Sequence, residues 1–480
     1  MRDFLETLAE IVGAGNCLTE DQARQKYDRD ITGFYKGRSL AVVRPKNTAE
    51  VAAIMAAAYG ARVPVVPLSG NTGLAGGGYP GDDGRSIILS LERMNKIVEI
   101  NTKSHIAIVE AGVILADLHR AVEAHDLVFP LLFGARGSCM IGGNLATNAG
   151  GSNVVRYGNT RALCLGLEVV LPDGEIVDMM SELHKDNTGY DLRDLFIGSE
   201  GTLGVITGAV LKLFPKPKAY ATAMVAVSDM AAALALLHAM QAASGGGVEA
   251  FEYMPRGYFA HLQAIDPKAP MPFAPLADIN IMIEVAATMP GDATPLPDGS
   301  LPVANRLEET LARFLESGEI LDAVVARSEA QRAEMWRQRE MAFEVSMHLG
   351  MPVTNDVAVP LDKVEDFLNR ADASLRREFG SVEPIVVAHL GDGNLHYSVW
   401  VDPDASGVMD PATKTRIYTL VEDVVESLGG SFSAEHGIGL AKKGTMARRK
   451  NRAAVSLMRR IKAAVDPENI MNPGKTLPEG

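Results

Sequence analysis

Two histidines bracket a turn-forming stretch in Ile385–Val401, IVVAHLGDGNLHYSVWV. Apolar runs on either side of Gly391-Asp392-Gly393-Asn394 predict a β-hairpin. If Leu390 pairs with Leu395, His389 faces His396, and directly opposed residues place their Cβ atoms ~4.5–5.5 Å apart on one face. That spacing lets two imidazoles reach one divalent cation. A carboxylate such as Glu435, in SAEHGIG (Ser433–Gly439), could complete a three-ligand set, which leaves coordination positions open as in catalytic zinc sites. A lone histidine is more often a satisfied structural group, but an opposed pair beside GDGN is harder to read that way. Asp392 and Asn394 are then turn formers or hydrogen-bond partners behind the ligands.

Three glycine-rich segments form a second kind of constellation. PLSGNTGL (Pro67–Leu74) follows a predicted strand, and successive backbone N–H groups around its glycines make a concave anion site to which Asn71 and Thr72 can add donors. It has neither the Lys-Ser/Thr of a Walker loop nor the pattern of a Rossmann turn. GSCMIGGNLATNAGGSNVVRYG (Gly137–Gly158) places Asn144, Thr147 and Asn148 among adjacent glycines, so a flat ring system could lie against it. GSEGTLGVIT (Gly198–Thr207) passes from glycines into a strand. Arg337 and Arg339, on a predicted helix with Glu334 and Glu340, would by themselves be a solvated charged face.

The elements that must position these residues change character along the chain. Strands are expected at Leu40–Val43, Val63–Pro67, Ser86–Leu91, His105–Ala111, Leu163–Leu171, Glu175–Asp178 and Leu203–Phe214, with helices at Thr48–Gly60 and Ile114–His125. Phe214-Pro-Lys-Pro-Lys reads as a linker. Beyond it, helices at Met230–Ala243, Pro302–Glu316, Glu329–His348, Leu361–Phe379, Pro411–Leu428 and Arg448–Val465 alternate with strands at Ile279–Val285, Ile385–Leu390 and Tyr397–Val401. Met289–Pro302 reads as an exposed loop. The expected class is α+β, with a first domain over 1–217 (core about 38–217), a cap domain over 218–465 whose antiparallel sheet carries helices on one face, and a segment 466–480 returning to the first domain.

Composition narrows the function. The 480 residues carry 46 Lys+Arg and 60 Asp+Glu, a formal charge of −14 that disfavours a general nucleic-acid or anionic-membrane binder. Hydrophobic residues at 47% rule out wholesale disorder. Cys17, Cys139 and Cys164 form no CxxC pair, which argues against a disulfide framework or a cysteine zinc site. The acidic residues of MRDFLETLAE break any signal-peptide core, and no stretch reaches the ~20 apolar residues of a membrane span, so a cytoplasmic location is expected.

Taken in order, SGNTG, IGGNLATNAGG, RYG, GSEGTLG and the late MNPGK (Met471–Lys475) resemble the FAD-linked oxidase family of the PCMH or vanillyl-alcohol-oxidase type over nearly the whole chain. Within it the chain is most similar to D-lactate dehydrogenases, glycolate oxidase D subunits and D-2-hydroxyglutarate dehydrogenases. The resemblance implies a PCMH-type FAD-binding domain of two α+β subdomains and a cap. It assigns Gly70, Asn71, Thr72, Gly73 and Leu74, with Pro67 and Ser69, to the FAD pyrophosphate. Gly137, Ser138, Ile141, Gly142, Gly143, Thr147, Asn148 and Gly151 would line the ribityl chain and ring. Glu200, Gly201 and Ile206 would approach the rest of the dinucleotide, and Asn472 the flavin edge. Residues 67–84 hold no His or Cys, so noncovalent FAD is expected.

The same resemblance makes His389, His396 and Glu435 ligands to zinc or manganese, zinc being favoured, His436 the catalytic base and Arg339 the anchor of the substrate carboxylate. Phe343 and Thr354 stand where 2-hydroxyglutarate-specific relatives carry Thr and Lys, which removes polar or cationic contacts to a second carboxylate. The implied reaction is oxidation of a D-2-hydroxy acid of the D-lactate, D-malate or D-2-hydroxyglutarate class to the 2-oxo acid. Electrons would pass to an electron-transfer flavoprotein, a cytochrome or a quinone, and a homodimer is the default assembly. The alternatives are a flavoprotein oxidase, an NADPH-dependent flavin reductase and, disfavoured by the intact histidines, a non-enzymatic flavin and metal scaffold.

Overall fold

The computed structural model describes residues 2–401 and 409–479, and the chain divides into two units. The first comprises Met1–Gly150, Gly158–Pro215 and Glu435–Gly480; the second comprises Gly151–Tyr157 and Lys216–Ala434.

Two sheets organise the first unit. One is four-stranded, in the order Cys17–Leu18, Ala41–Val43, Ile87–Ser90, Val65–Leu68, with the last three strands parallel. The helix Thr48–Ala61 follows Ala41–Val43; Asn47 caps it, its side chain accepting from the Glu50 N–H. The Pro67–Leu74 segment therefore leaves the carboxyl end of a parallel strand, the end of an open α/β sheet at which ligands bind. The other sheet is five-stranded and antiparallel, in the order Ile97–Asn101, Ile106–Glu110, Val205–Lys212, Cys164–Val170, Ile176–Met179. The proposed linker is partly a strand, since Phe214–Pro215 pairs with Leu127–Val128. All three cysteines are buried and free.

The second unit is built on a seven-stranded antiparallel sheet, ordered Ile320–Val325, Ala219–Val227, Ile279–Ala287, Val248–Pro255, Val382–His389, Asn394–Val401, Val353–Ala358. One face buries Ala223, Val225, Ile281, Ile283, Leu395 and Tyr397 under the helices Met230–Ala243, Pro302–Glu316, Val364–Phe379 and Pro411–Ser427. The α+β class stands, but the expectation of helices on one face needs correction. Met224, Met254, Met282, Ile385, Val387 and Trp400 on the opposite face pack with Tyr258, Phe259, Leu262 and Val345 from the helices Arg256–Ile265 and Ala342–Ser346. Strands covered on both sides lose apolar–polar alternation, which is why the run AYATAMVAV (Ala219–Val227) was not legible as a strand.

Two boundaries also differ. The second unit ends at Ala434, not near residue 465, because the following chain bonds to the first unit: the Leu440 and Ala441 N–H groups donate to the Ala75 carbonyl (2.8 and 3.1 Å), and the Lys462 Nζ donates to the Thr202 and Met471 carbonyls, each at 2.8 Å. Conversely, Gly151–Tyr157 belongs with the second unit, held where Arg156 Nη1 and the Tyr157 hydroxyl donate to Glu249 Oε1 at 2.9 and 2.6 Å.

Candidate active site

Within the first unit the glycine motifs converge. A Cβ on Gly143 would sit 2.3 Å from the Ser69 carbonyl oxygen, so only glycine lets the helix Ile141–Ala146 approach the Pro67–Leu74 loop this closely. The Glu200 N–H donates to the Ala146 carbonyl (2.8 Å), and Gly201 rests on Pro67. From the C-terminus, Asn472 ties the cluster together. Its backbone N–H donates to the Val65 carbonyl (2.8 Å), and its Nδ2 donates to the Gly77 and Glu200 carbonyls at 3.0 and 2.9 Å.

The residues assigned to FAD do not all play one part. Ser69 Oγ donates to the Ala111 carbonyl (3.0 Å), Asn71 Nδ2 to the Arg29 carbonyl (2.8 Å) and Thr147 Oγ1 to the Gly143 carbonyl (3.0 Å), while Asn148 Oδ1 accepts from the Arg161 N–H (3.0 Å). Ile141 and Ile206 are core side chains. Gly70 and Gly142 are crowded by their neighbours, whereas Gly73 and Gly137 have open space where a Cβ would lie, and Leu74 and Ser138 are exposed. Thr72 is half-buried, and Gly151 falls in the second unit. Among the described residues, Asn144 Nδ2 and Asn472 Oδ1 are buried without a hydrogen-bond partner. An open glycine surface and two orphaned amide atoms fit a hydrogen-bonding planar group.

Glu200 is a clamp. Its Oε1 accepts from the Ile438 N–H (2.8 Å) and its Oε2 from the Gly439 N–H (2.7 Å), which fixes the turn that follows Glu435 and His436. Burial pushes the Glu200 carboxyl above its ordinary range, and these two donors oppose that rise.

The second unit carries a polar row on the sheet face that also holds Val387 and Trp400. The hairpin forms, but its register is His389↔Asn394, Ala388↔Leu395 and Val387↔His396, not His389 opposite His396. A slip of two residues keeps both imidazoles on one face, so they meet as diagonal neighbours with ring centroids 5.4 Å apart and planes at 85°. Tertiary contacts set this register. The Gly393 N–H donates to the His389 carbonyl (3.1 Å) and its carbonyl accepts from the Val359 N–H (3.1 Å), while the buried Asn394 Nδ2 donates to Asp356 Oδ1 and the Val357 carbonyl, each at 3.0 Å. At the turn, burial pushes the Asp392 carboxyl up to about 6.

Behind His389 lies a group the sequence did not reveal. Glu252, on Val248–Pro255, is opposite His389 in the sheet and fully buried. Its Oε1 is 2.9 Å from His389 Nδ1, and its Oε2 accepts from Arg339 Nε at 2.7 Å. Burial works to raise the Glu252 carboxyl, but the adjacent imidazole and guanidinium outweigh it and hold the group below its usual range. The expected helix Glu329–His348 breaks at Met341 into Glu329–Glu340 and Ala342–Ser346. Arg337 is paired at the surface with Glu334 and Asp266, whereas Arg339 is buried, with its Nη2 unpartnered among the described residues. Phe343 is 69% exposed, and the Thr354 hydroxyl is paired with Ser398 Oγ at 3.0 Å.

Ala434 donates its N–H to Asp356 Oδ2 (3.2 Å), and the next residues in the chain are Glu435 and His436. One ligand atom each from Asp356, His396, Glu435 and His436 lie within 4.8 Å of one another. Imidazoles with carboxylates are donors suited to zinc or manganese, so the set fits a divalent cation. Asp356 was not foreseen as part of it; its place came from pairing opposite His396, a contact that spacing in the sequence does not show. His389 stands outside this tight group but beside His396.

Residues 39–180 match the FAD binding domain family, and residues 216–476 match the C-terminal domain of FAD linked oxidases. A D-2-hydroxyglutarate dehydrogenase from Xanthomonas citri pv. viticola is 36% identical over 98% of this chain and 96% of its own length. The mitochondrial D-2-hydroxyglutarate dehydrogenase of Rattus norvegicus is 35% identical over 98% of this chain and 84% of its own. Among solved structures, p-cresol methylhydroxylase superposes with a TM-score of 0.72 at 16% identity, covering 100% of this chain and 97% of that one. An alkyldihydroxyacetonephosphate synthase gives 0.72 at 16%, covering 99% and 85%. These two show the fold. No described helix is long and apolar enough to cross a membrane.

Proposed function

The chain belongs to the FAD-linked oxidase family, and from that premise we propose that it is an FAD-dependent dehydrogenase that oxidises a D-2-hydroxy acid to the corresponding 2-oxo acid with the aid of a divalent cation. The observation that carries this reading is the grouping of His396, Asp356, Glu435 and His436, with His389 beside it, in a chain whose full-length relatives are D-2-hydroxyglutarate dehydrogenases. Of the groups near the cation site, His389, His396 and Glu435 would be the ligands, and Asp356 would support His396. Bound FAD would supply the hydride acceptor, and the cation the positive charge that acidifies a substrate hydroxyl.

The chain's own residues would do the rest. His436 accepts the hydroxyl proton as the Cα–H bond is cleaved, a role that suits an imidazole whose unperturbed pKa of ~6.5 lies near working pH. As a fourth ligand it would instead close the site, as in structural zinc. Arg339 offers its buried, unpartnered Nη2 to the substrate carboxylate while Glu252 holds its Nε. The reduced flavin would pass electrons to an electron-transfer flavoprotein, a cytochrome or a quinone.

The test is anaerobic flavin bleaching by a panel of D-hydroxy acids (lactate, malate and 2-hydroxyglutarate), with L-enantiomers and NADPH as controls. Wild-type protein should bleach with at least one D-acid. Metal-stripped protein should not until Zn²⁺ or Mn²⁺ is restored, and His436→Ala should keep its FAD and metal yet fail to bleach. Bleaching by NADPH alone, or by a D-acid at the wild-type rate in His436→Ala, overturns the assignment.

A further inference from the structure

We infer that Glu252 is a positioning residue that fixes the His389 imidazole with its proton on Nδ1 and its lone pair on Nε2, ready to bind a cation. The inference rests on His389 being a ligand, as proposed above. Three observations carry it. Glu252 and His389 are cross-strand partners in the seven-stranded sheet, so their separation is set by backbone pairing and not by side-chain reach. The carboxylate Oε1 lies 2.9 Å from Nδ1, and an ionised carboxylate only accepts, so the shared proton belongs to the ring. The other oxygen is taken by Arg339 Nε at 2.7 Å, which keeps the carboxylate charged in a place without solvent and stops it rotating away from the ring.

Histidines that bind metals commonly donate their second ring N–H to a carboxylate or carbonyl, which fixes ring orientation and raises the basicity of the ligating nitrogen. Glu252 meets this requirement from a position 137 residues away in the chain. It does so from the neighbouring strand on the same sheet face, where it is fully buried. Arg339 thereby has two duties: its Nε balances Glu252, and its Nη2 is left over for an anion.

The test uses the FAD-loaded full chain. Zinc affinity is measured by competition with a chromophoric chelator, and the histidine tautomers of the metal-free protein are read from ¹⁵N chemical shifts, the His389 signals being assigned by their loss in His389→Gln. Glu252→Gln should weaken zinc binding about 10–100-fold with FAD content unchanged. Glu252→Asp should recover part of that loss. In the wild type the His389 Nδ1 should carry the proton, and Glu252→Gln should give mixed tautomers. Unchanged affinity in Glu252→Gln, or a wild-type His389 protonated on Nε2 alone, overturns the inference. Should Glu252→Gln fail to fold, the wild-type tautomer still decides. Should the wild type bind no zinc, the proposed cation chemistry fails, while the tautomer measurement judges the Glu252–His389 contact separately.

Discussion

Replacing Glu200 with glutamine changes one atom and tests what that side chain is for. In the native turn both carboxylate oxygens accept, from the Ile438 and Gly439 N–H groups at 2.8 and 2.7 Å. The amide keeps one acceptor and turns an NH₂ toward the other N–H, so one charge-assisted bond is lost and a buried donor faces a donor. Hydrogen bonds to charged groups are worth ~1.5–3 kcal/mol, and an unsatisfied buried donor costs ~1–3 kcal/mol. Against this, burial already raises the Glu200 carboxyl, so removing its charge returns part of the desolvation cost. The balance is a loss of about 2 kcal/mol. The more specific consequence is displacement of the residues just before the turn, which include His436. Urea unfolding of FAD-loaded Glu200→Gln should show the lower midpoint, FAD affinity should stay within a few-fold of wild type, and the rate of anaerobic flavin reduction by the active D-acid should fall by at least ~10-fold, as expected when a proton acceptor is misplaced by about 1 Å. Weaker FAD binding with an unchanged reduction rate would refute this reasoning and return Glu200 to the cofactor contact that the family resemblance implied. Gly437→Ala provides a companion from the other side of the contact. At φ +73° its new Cβ would stand 3.0–3.1 Å from the Glu200 carboxyl atoms, so it should reproduce the rate defect with the carboxylate intact.

Two further outcomes are expected. Gly143→Ala should abolish FAD retention or soluble expression, because its Cβ meets the Ser69 carbonyl at 2.3 Å and the clash is with backbone; yellow protein with normal FAD content would contradict that. Lys475 is held down to about 8 by burial and by the neighbouring Lys443 ammonium. Between that value and the ~10.4 of an unfolded lysine, the unfolded chain binds more protons, so this residue's contribution makes stability rise with pH, by at most ~1.4 kcal/mol per unit. Lys475→Met should therefore exceed wild type in urea midpoint at pH 7, with a gap that narrows from pH 8 to 10; a constant gap would refute the linkage.

Local rules made much of this molecule readable in advance. The helix Met230–Ala243 begins after Asp229 and Pro302–Glu316 begins on a proline, because a cap or a first-turn proline acts within a few residues of where it stands. The glycine motifs were legible for the same reason, and their order along the chain was enough to name the family. Face membership of His389 and His396 followed from the two-residue period of a strand, which survives a slip of two. What sequence could not provide was every choice made by a distant neighbour: the hairpin register drawn in by Asp356 and Val359, the helices covering the second sheet face, and the partners Glu252 and Asp356. Side-chain periodicity states which way a residue points but not what waits there. Only the pairing of strands far apart in the chain brings a carboxylate to each imidazole, and for Glu252 the charged partners gathered there keep it ionised against the cost of burial.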